Sequence, residues 1–222
     1  MPELETFTVG DLTPRAHVRV PDGARSGVVV LHPWWGLNED VIAYADRLAD
    51  AGFAVLAPDM FDGRIATEPD EAEKLAGEGD KVADRIAFAA VDELAKRLEP
   101  DAPLAVLGFS FGAAYALWAP SERPRLSATV VYYGTYTDDF LKRSTARVLG
   151  HFAEDDPYES AESVKELETA LREAGRSVEF HTYPGTGHWF AEPSRDAYRR
   201  DAAELAFERT VTFLRGALAV GG

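Results

Sequence analysis

The sequence contains no cysteine. This absence excludes disulfides, thiolate metal sites and a cysteine nucleophile. It fits a reducing compartment, and we predict a cytoplasmic location. The chain also lacks an apolar run of the ~18 residues that a membrane helix requires. No basic segment followed by an apolar one stands near the N-terminus. We therefore predict neither a membrane span nor a signal peptide.

Basic residues are scarce as well. The chain has 23 Lys and Arg residues against 38 Asp and Glu residues, which gives a net charge of −15. Such a surface repels phosphate backbones and anionic lipid headgroups, so we expect a small-molecule substrate and neither a nucleic-acid nor a membrane partner. No HExxH motif or comparable metal-ligand spacing occurs, so we predict no metal and no cofactor. The sequence does not predict an oligomeric state.

Short apolar runs rich in β-branched residues alternate along the chain with segments of helical periodicity. Strands that are apolar on both faces are typical of a buried parallel sheet. The pattern predicts strands over 16–20, 26–33, 53–61, 103–109, 127–134, 146–152 and 177–183. It predicts helices over 38–52, 80–100, 112–119, 160–175 and 194–218, with a short helix inside a loop at 62–79. These elements predict one α/β domain over 1–222, with a mainly parallel sheet and helices on both faces.

The stretch VLGFSFGAAYA places Ser110 between Gly108 and Gly112, where a predicted strand meets a predicted helix. A Gly-x-Ser-x-Gly motif in this context is typical of a nucleophile elbow, which raises the serine hydroxyl above the strand ends. The amide of Phe111, at the start of the helix, could then stabilise an oxyanion. The alternative is that Ser110 only caps the helix and the glycines only form the turn.

A serine hydroxyl is a poor nucleophile until a base accepts its proton. Two of the five histidines lie at or just after the ends of predicted strands, at the carboxyl edge of the sheet, where ligands bind in such folds. His188 lies in the glycine-rich stretch YPGTGHWF after strand 177–183, and we predict that it is the base. His32, at the end of strand 26–33, is the alternative.

The histidine in turn needs a carboxylate that fixes its tautomer. Asp155 and Asp156 follow strand 146–152, where either could instead form a turn or cap the next helix. The chain order Ser110, Asp156, His188 is the order of the triad in α/β-hydrolases. Three such residues, each after a different predicted strand, favour nucleophilic catalysis over a purely structural turn at the serine.

At five places the chain resembles the dienelactone hydrolase family of α/β-hydrolases, from about residue 15 to residue 216. The similar segments are VVVLHPWWGLNEDVIAYADRLADAGFAVLAPDMF, GFSFGAAYA, YYG, HFAEDDPY and YPGTGHWFAEP. The resemblance implies an α/β-hydrolase fold. It also implies that the acid is Asp156, because Tyr158 stands two residues further on. It places the base at His188 and the second oxyanion amide at Trp34.

The sequence departs from the family pattern at three positions. Ser110 stands where the namesake enzymes use cysteine, and Pro33 stands where they carry a glutamate that gates the thiol. Glu192 stands where the resemblance would put an arginine that binds the substrate carboxylate. We expect an acidic group there to repel an anionic dienelactone.

We therefore predict a serine hydrolase that cleaves small, neutral carboxylic esters or lactones through a Ser-His-Asp triad and an acyl-enzyme. The predicted pocket is aromatic, and its residues are Trp35, Tyr133, Tyr158, Trp189 and Phe190. Only about a dozen residues separate strands 127–134 and 146–152, which leaves no room for a cap domain. Two alternatives stay open: a non-catalytic protein of this fold that binds a small carbonyl ligand, and an acyltransferase.

Overall fold

The computed structural model describes residues 3–219. Eight strands form one sheet in the order β1-β2-β4-β3-β5-β6-β7-β8. The strands are β1 (Glu5–Thr6), β2 (Arg15–Arg19), β3 (Gly27–Leu31), β4 (Ala54–Pro58), β5 (Leu104–Phe109), β6 (Leu126–Tyr132), β7 (Arg147–Asp155) and β8 (Val178–Gly187). β1 and β2 pair antiparallel, and every pairing among β3 to β8 is parallel. The predicted α/β architecture is confirmed.

Five α-helices cover the two faces of this sheet. They are α1 (Glu39–Asp50), α2 (Pro69–Ala95), α3 (Phe111–Glu122), α4 (Ala161–Glu173) and α5 (Arg200–Ala217), with a short 3-10 helix at Asp139–Lys142. β3 shows why both faces are apolar, because Val29 and Leu31 enter one core and Val28 and Val30 enter the other. The first core takes its helical residues from α2, α3 and α4, and the second from α1 and α5.

The connection from β6 to β7 spans residues 133–146 and contains only the 3-10 helix. The prediction that no cap domain is inserted there is confirmed. No inserted domain from this connection therefore covers the carboxyl ends of β5, β7 and β8. Within residues 3–219, no helix is both long and apolar enough to cross a membrane. The same residues include no cluster of three or more His, Asp or Glu side chains that could hold a metal ion.

One helix differs clearly from its prediction. We expected a short helix inside the loop 62–79 and a separate helix at 80–100, but α2 runs unbroken over Pro69–Ala95. Glycine is unfavourable in helix interiors, and Gly77 and Gly79 stand where the two predicted helices meet. Gly79 is buried, and a Cβ atom there would collide with the ring of Phe61. This glycine therefore permits a close helix contact and does not end the helix.

The ends of the chain show smaller differences. The two-residue strand β1 was not predicted. The predicted final helix at 194–218 starts later, at Arg200, because the preceding residues form turns. In these turns the amide of Tyr198 donates to Arg195 and the amide of Arg199 donates to Phe190. Turn hydrogen bonds of this kind leave little trace in hydrophobic periodicity.

Candidate active site

The predicted elbow is present between β5 and α3. Ser110 has φ 47° and ψ −111°, a strained backbone conformation for a residue with a side chain. A Cβ atom on Gly108 would collide with the backbone of Gly112. A Cβ atom on Gly112 would come within 2.6 Å of the carbonyl oxygen of Leu31 and 2.8 Å of that of His32. Both glycines are therefore required by close backbone contacts, and Ser110 makes no side-chain cap to α3.

Ser110, His188 and Asp156 form a continuous chain of hydrogen bonds at the carboxyl edge of the sheet. The Oγ atom of Ser110 lies 2.9 Å from Nε2 of His188. The Nδ1 atom of His188 lies 2.7 Å from Oδ2 and 2.9 Å from Oδ1 of Asp156. The side chains of His188 and Asp156 are 3% and 2% exposed. This arrangement can pass a proton from the hydroxyl to an imidazole whose other nitrogen faces a carboxylate.

Asp156 also organises the loop that follows β7. Its Oδ1 accepts the amides of Tyr158 at 2.9 Å and Glu159 at 3.0 Å. Asp155 is exposed at the end of β7. The cap of α4 is Ser160, whose side chain accepts the amide of Ser163. Asp156 thus combines a turn with a contact to the histidine, whereas sequence reasoning treated these as alternatives.

His32, the alternative base, is fully buried and has both ring nitrogens occupied. Nε2 accepts the amide of Met60 at 3.0 Å, and Nδ1 donates to the carbonyl oxygen of Pro33 at 2.7 Å. Burial lowers the pKa of His32. The geometry gives this histidine a structural task at the end of β3 and leaves His188 as the histidine that reaches Ser110.

The two predicted oxyanion donors lie on adjacent segments. Phe111 is the first residue of α3, and Trp34 lies in the loop after β3. The close contact of Gly112 with the carbonyl oxygens at the end of β3 brings the start of α3 against that loop. In hydrolases of this fold one amide after the nucleophile and one from a neighbouring loop stabilise the oxyanion, and this role for Phe111 and Trp34 stays a prediction.

Trp34, Trp35, Trp189 and Tyr158 form an aromatic cluster that contacts His188 through Trp189 and Tyr158. The rings of Trp34 and Trp189 stack with centroids 5.9 Å apart, and Trp35 meets Trp189 edge-on at 5.2 Å. Tyr158, which is 52% exposed, lies 4.9 Å from His188 and 5.6 Å from Trp34. Through the exposed ring of Tyr158, this cluster offers an apolar, partly open surface beside His188.

Three of the predicted pocket residues, Trp35, Tyr133 and Phe190, lie deeper than expected, and Trp35 is 2% exposed. Phe190 is 0% exposed and packs against Tyr183 and Tyr133, so it belongs to the core and does not form the pocket surface. Tyr133 is also fully buried, with its ring 5.0 Å from that of His188. Apolar character in the sequence did not distinguish a residue that lines the pocket from one that is buried in the core.

Glu192 corrects an expectation about charge. It is 2% exposed, and its Oε1 accepts the hydroxyl of Tyr133 at 2.8 Å. Burial raises the pKa of Glu192 to about 8, so the carboxyl is mostly neutral at pH 7. Glu192 therefore does not present the exposed negative charge on which the expected repulsion rested, and the exclusion of an anionic substrate stays a prediction.

Sequence reasoning missed two polar features near the site. Thr135 donates to Glu159 at 2.5 Å and ties the segment after β6 to the loop after β7. Arg195 places its guanidinium 3.7 Å from the ring centroid of Trp35 and lines a cleft of about 610 Å³ beside α1. Neither residue belongs to a recognisable motif, and their positions depend on loop folding.

The fold and the site define the class of protein. An eight-stranded, mainly parallel sheet with helices on both faces and a serine elbow after β5 is the architecture of an α/β hydrolase. The chain belongs to the dienelactone hydrolase family, whose model matches residues 15–218.

Known relatives agree with this assignment. A Bradyrhizobium protein named "Probable 2-oxo-3-(5-oxofuran-2-ylidene)propanoate lactonase" is 31% identical over 213 residues, which cover 88% of this chain and 86% of the relative. The "Putative carboxymethylenebutenolidase" of Aquifex aeolicus is 29% identical over 229 residues, 97% of this chain and 98% of the relative. The protein is a dienelactone hydrolase-like hydrolase of carboxylic esters and lactones.

Solved structures share the fold. The dienelactone hydrolase-like promiscuous phosphotriesterase P91, from metagenomic libraries, superposes with a TM-score of 0.85 at 24% identity over 98% of both chains. A dienelactone hydrolase homologue from Klebsiella pneumoniae superposes with a TM-score of 0.80 at 22% identity, covering 95% of this chain and 97% of the other. At these identities the likeness concerns the fold.

Proposed function

We propose that this protein is a serine hydrolase that cleaves small, neutral carboxylic esters or lactones through an acyl-enzyme on Ser110. The observation that carries the proposal is the pair of hydrogen bonds at His188, one to Ser110 Oγ at 2.9 Å and one to Asp156 Oδ2 at 2.7 Å. A hydroxyl, an imidazole and a carboxylate in this order are the parts required for nucleophilic acyl transfer.

Acylation begins when Oγ of Ser110 attacks the ester carbonyl carbon and Nε2 of His188 accepts the hydroxyl proton. The carbonyl oxygen becomes an oxyanion, which the amides of Phe111 and Trp34 stabilise by hydrogen bonding. Collapse of this intermediate breaks the bond to the leaving oxygen, and His188 donates its proton to that oxygen. Asp156 keeps Nδ1 protonated and stabilises the imidazolium throughout.

Deacylation repeats these steps with water as the nucleophile. His188 accepts a proton from water, the hydroxide oxygen bonds to the acyl carbon, and Ser110 leaves with the proton that His188 returns. An ester yields an acid and an alcohol. A lactone yields one hydroxy acid, because its leaving oxygen stays attached to the acyl chain.

The proposed substrate is small and neutral because of what surrounds the serine. The aromatic cluster of Trp34, Trp189 and Tyr158 favours apolar groups. The position that the family resemblance assigns to a carboxylate-binding arginine holds Glu192, which supplies no cation. The Bradyrhizobium relative is named for a propanoate lactone, so an anionic lactone is the competing substrate class to test.

The first test is Ser110→Ala, with Ser177→Ala as the control because Ser177 is exposed and precedes β8, whereas His188 follows it. We expect Ser110→Ala to lower hydrolysis of a short p-nitrophenyl ester by several orders of magnitude, on the order of 10⁶ at most. The control should match the unmodified protein. Activity that survives in the Ser110 variant would exclude this serine as the nucleophile.

A fluorophosphonate probe and product analysis separate the alternatives. If the folded protein does not react with the probe, this result would favour a non-catalytic binder of carbonyl ligands. Esters or amides formed when alcohols or amines are added would instead indicate an acyltransferase. A panel of neutral and anionic esters and lactones, assayed beside the Ser110 variant, then assigns the substrate class.

We further propose a cytoplasmic location and no nucleic-acid or membrane partner. The lack of cysteine and the net charge of −15 support this proposal. Cell fractionation, together with a binding assay on DNA and on anionic vesicles, tests it. Recovery of the protein with membranes or nucleic acid at physiological salt would contradict it.

A further inference from the structure

Glu192 is a buried carboxyl that the catalytic steps above do not use. Its Oε1 accepts one hydrogen bond, from the hydroxyl of Tyr133 at 2.8 Å. Its Oε2 is buried and has no hydrogen-bond partner among residues 3–219. Its amide donates to the carbonyl oxygen of Trp189 at 2.9 Å, so it closes the turn that begins next to His188. The two carboxyl oxygens thus have a single hydrogen-bond donor between them, although buried polar atoms in proteins usually each have a partner.

Tyr133 links the carboxyl of Glu192 both to His188 and to the segment that carries Ser110. It follows β6 with φ 37°, a strained conformation for tyrosine, and its ring lies 5.0 Å from that of His188. The next residue, Gly134, touches the elbow so closely that a Cβ atom would come within 2.7 Å of the carbonyl oxygen of Ser110. The Tyr133–Glu192 hydrogen bond therefore joins the segment behind Ser110 to the loop that carries His188.

We propose that Glu192 is a positioning residue that holds Tyr133 against the imidazole of His188 in the orientation that reaches Ser110. The role rests on the proposed function, because it concerns the same histidine. A strained backbone at Tyr133 persists only where neighbouring contacts hold it, and this hydrogen bond is one of them.

The surroundings of Glu192 favour the neutral form. The titratable and charged groups that face it are Asp40 and Tyr44 on α1, Tyr133 after β6, and Arg195 on its own segment. Burial is the main cause that raises its pKa to about 8, and Asp40 adds to this, whereas the Tyr133 hydrogen bond and Arg195 oppose it.

Ionisation of Glu192 would leave a buried anionic oxygen without a donor, which is costly. The turn from Trp189 to Glu192 must then rearrange, and the imidazole moves with it. We therefore expect activity to fall as Glu192 loses its proton, above about pH 8.

The test compares kcat against pH, from about pH 6 to about pH 10, for the unmodified protein, Glu192→Gln and Glu192→Ala. Glutamine keeps the acceptor for Tyr133 but cannot ionise, so its profile should lack the alkaline decline. Alanine removes the acceptor, so kcat should fall between about tenfold and about 100-fold at every pH, with KM nearly unchanged. Glutamine should recover most of the activity that alanine loses.

Glu173→Gln is the matched control, because Glu173 is exposed on α4. It should reproduce the profile of the unmodified protein. An alkaline decline that persists unchanged in Glu192→Gln, or normal kcat in Glu192→Ala, would overturn the positioning role. If the alanine variant does not fold, the glutamine profile alone decides.

Probe labelling of Ser110 keeps this result separate from the proposed function. Labelling together with an unchanged Glu192→Gln profile would reject only the role of Glu192. No labelling of the folded, unmodified protein would reject the serine mechanism itself.

Discussion

Three successive carboxylates at the end of β7 differ in their contacts. Glu154 accepts the amide of Gly185 at 2.8 Å and joins β7 to β8. Asp155 is exposed, and Asp156 turns inward to His188. The pairing of β7 with β8 is irregular between Ala153 and Asp155, just before Asp156, so a shift of one residue there decides which carboxylate reaches the histidine. The number of carboxylates at this site therefore tells less about which one contacts His188 than the register of the chain does.

Substituting the two aspartates separately tests this difference. Asp156→Asn keeps the volume but cannot stabilise an imidazolium or enforce the protonated Nδ1, so kcat should fall by on the order of 10⁴. Asp155→Asn should stay close to the unmodified protein in kcat and KM. Steady-state ester hydrolysis measures both variants. A larger loss in Asp155→Asn would reverse the assignment of the acid.

Glu192 shows which part of the site the sequence could not predict. Chain order placed the serine and histidine after separate strands, and the structure brings them to 2.9 Å. The family resemblance located Glu192, but its protonation depends on burial and on Tyr133, which is 59 residues away in the sequence. Tertiary contacts of this kind determine the pKa of a buried group, and the local sequence pattern does not reveal them.

At the scale of single elements, a glycine inside a helix can have one of two opposite structural roles. Gly77 and Gly79 both lie in α2, only two residues apart. Gly77 is exposed with no atom within 4 Å of a Cβ position, whereas Gly79 is buried against Phe61. The strands were predictable because each carries its own apolar pattern, but the continuity of α2 was not, because it depends on what packs against one glycine.

Alanine substitutions at these two positions should have opposite effects. Gly77→Ala removes the entropic cost of glycine in a helix and should raise the free energy of unfolding by about 0.5–1 kcal/mol. Gly79→Ala gains the same helical preference but drives a methyl group into the ring of Phe61, so it should destabilise by about 1–3 kcal/mol. Urea titration measures both. Equal shifts of the same sign would show that the packing at Gly79 does not matter.

For the whole molecule, the site exists because parallel strands bring their carboxyl ends to one edge. Ser110 follows β5, Asp156 follows β7 and His188 follows β8, and these strands lie on the same side of the sheet order with only β6 between β5 and β7. Alternating strands and helices were enough to predict this edge. The distances across it depend on loops whose turns and strained residues leave weak signals in the sequence.

The free energy of unfolding of the whole protein should depend on pH through the titration of Glu192. Its carboxyl has a pKa of about 8 in the folded protein against an ordinary value of 4.5, so between these values the folded state binds more protons than the unfolded state. Stability linked to this group is therefore fully present below about pH 4.5, falls as the pH rises and is lost beyond about pH 8. A single proton can contribute a slope of at most about 1.4 kcal/mol per pH unit.

Glu192→Gln should remove that slope, because an amide does not titrate over this range. The other acidic residues titrate in both proteins, so the difference between their free energies of unfolding isolates Glu192. Urea titrations from about pH 5 to about pH 9 should show the glutamine variant gaining stability relative to the unmodified protein as the pH rises. Glu173→Gln, at an exposed site, should show no such trend. A difference between Glu192→Gln and the unmodified protein that stays constant with pH would mean that Glu192 is already ionised in the folded state, and Tyr133 would then hold an anion rather than an acid.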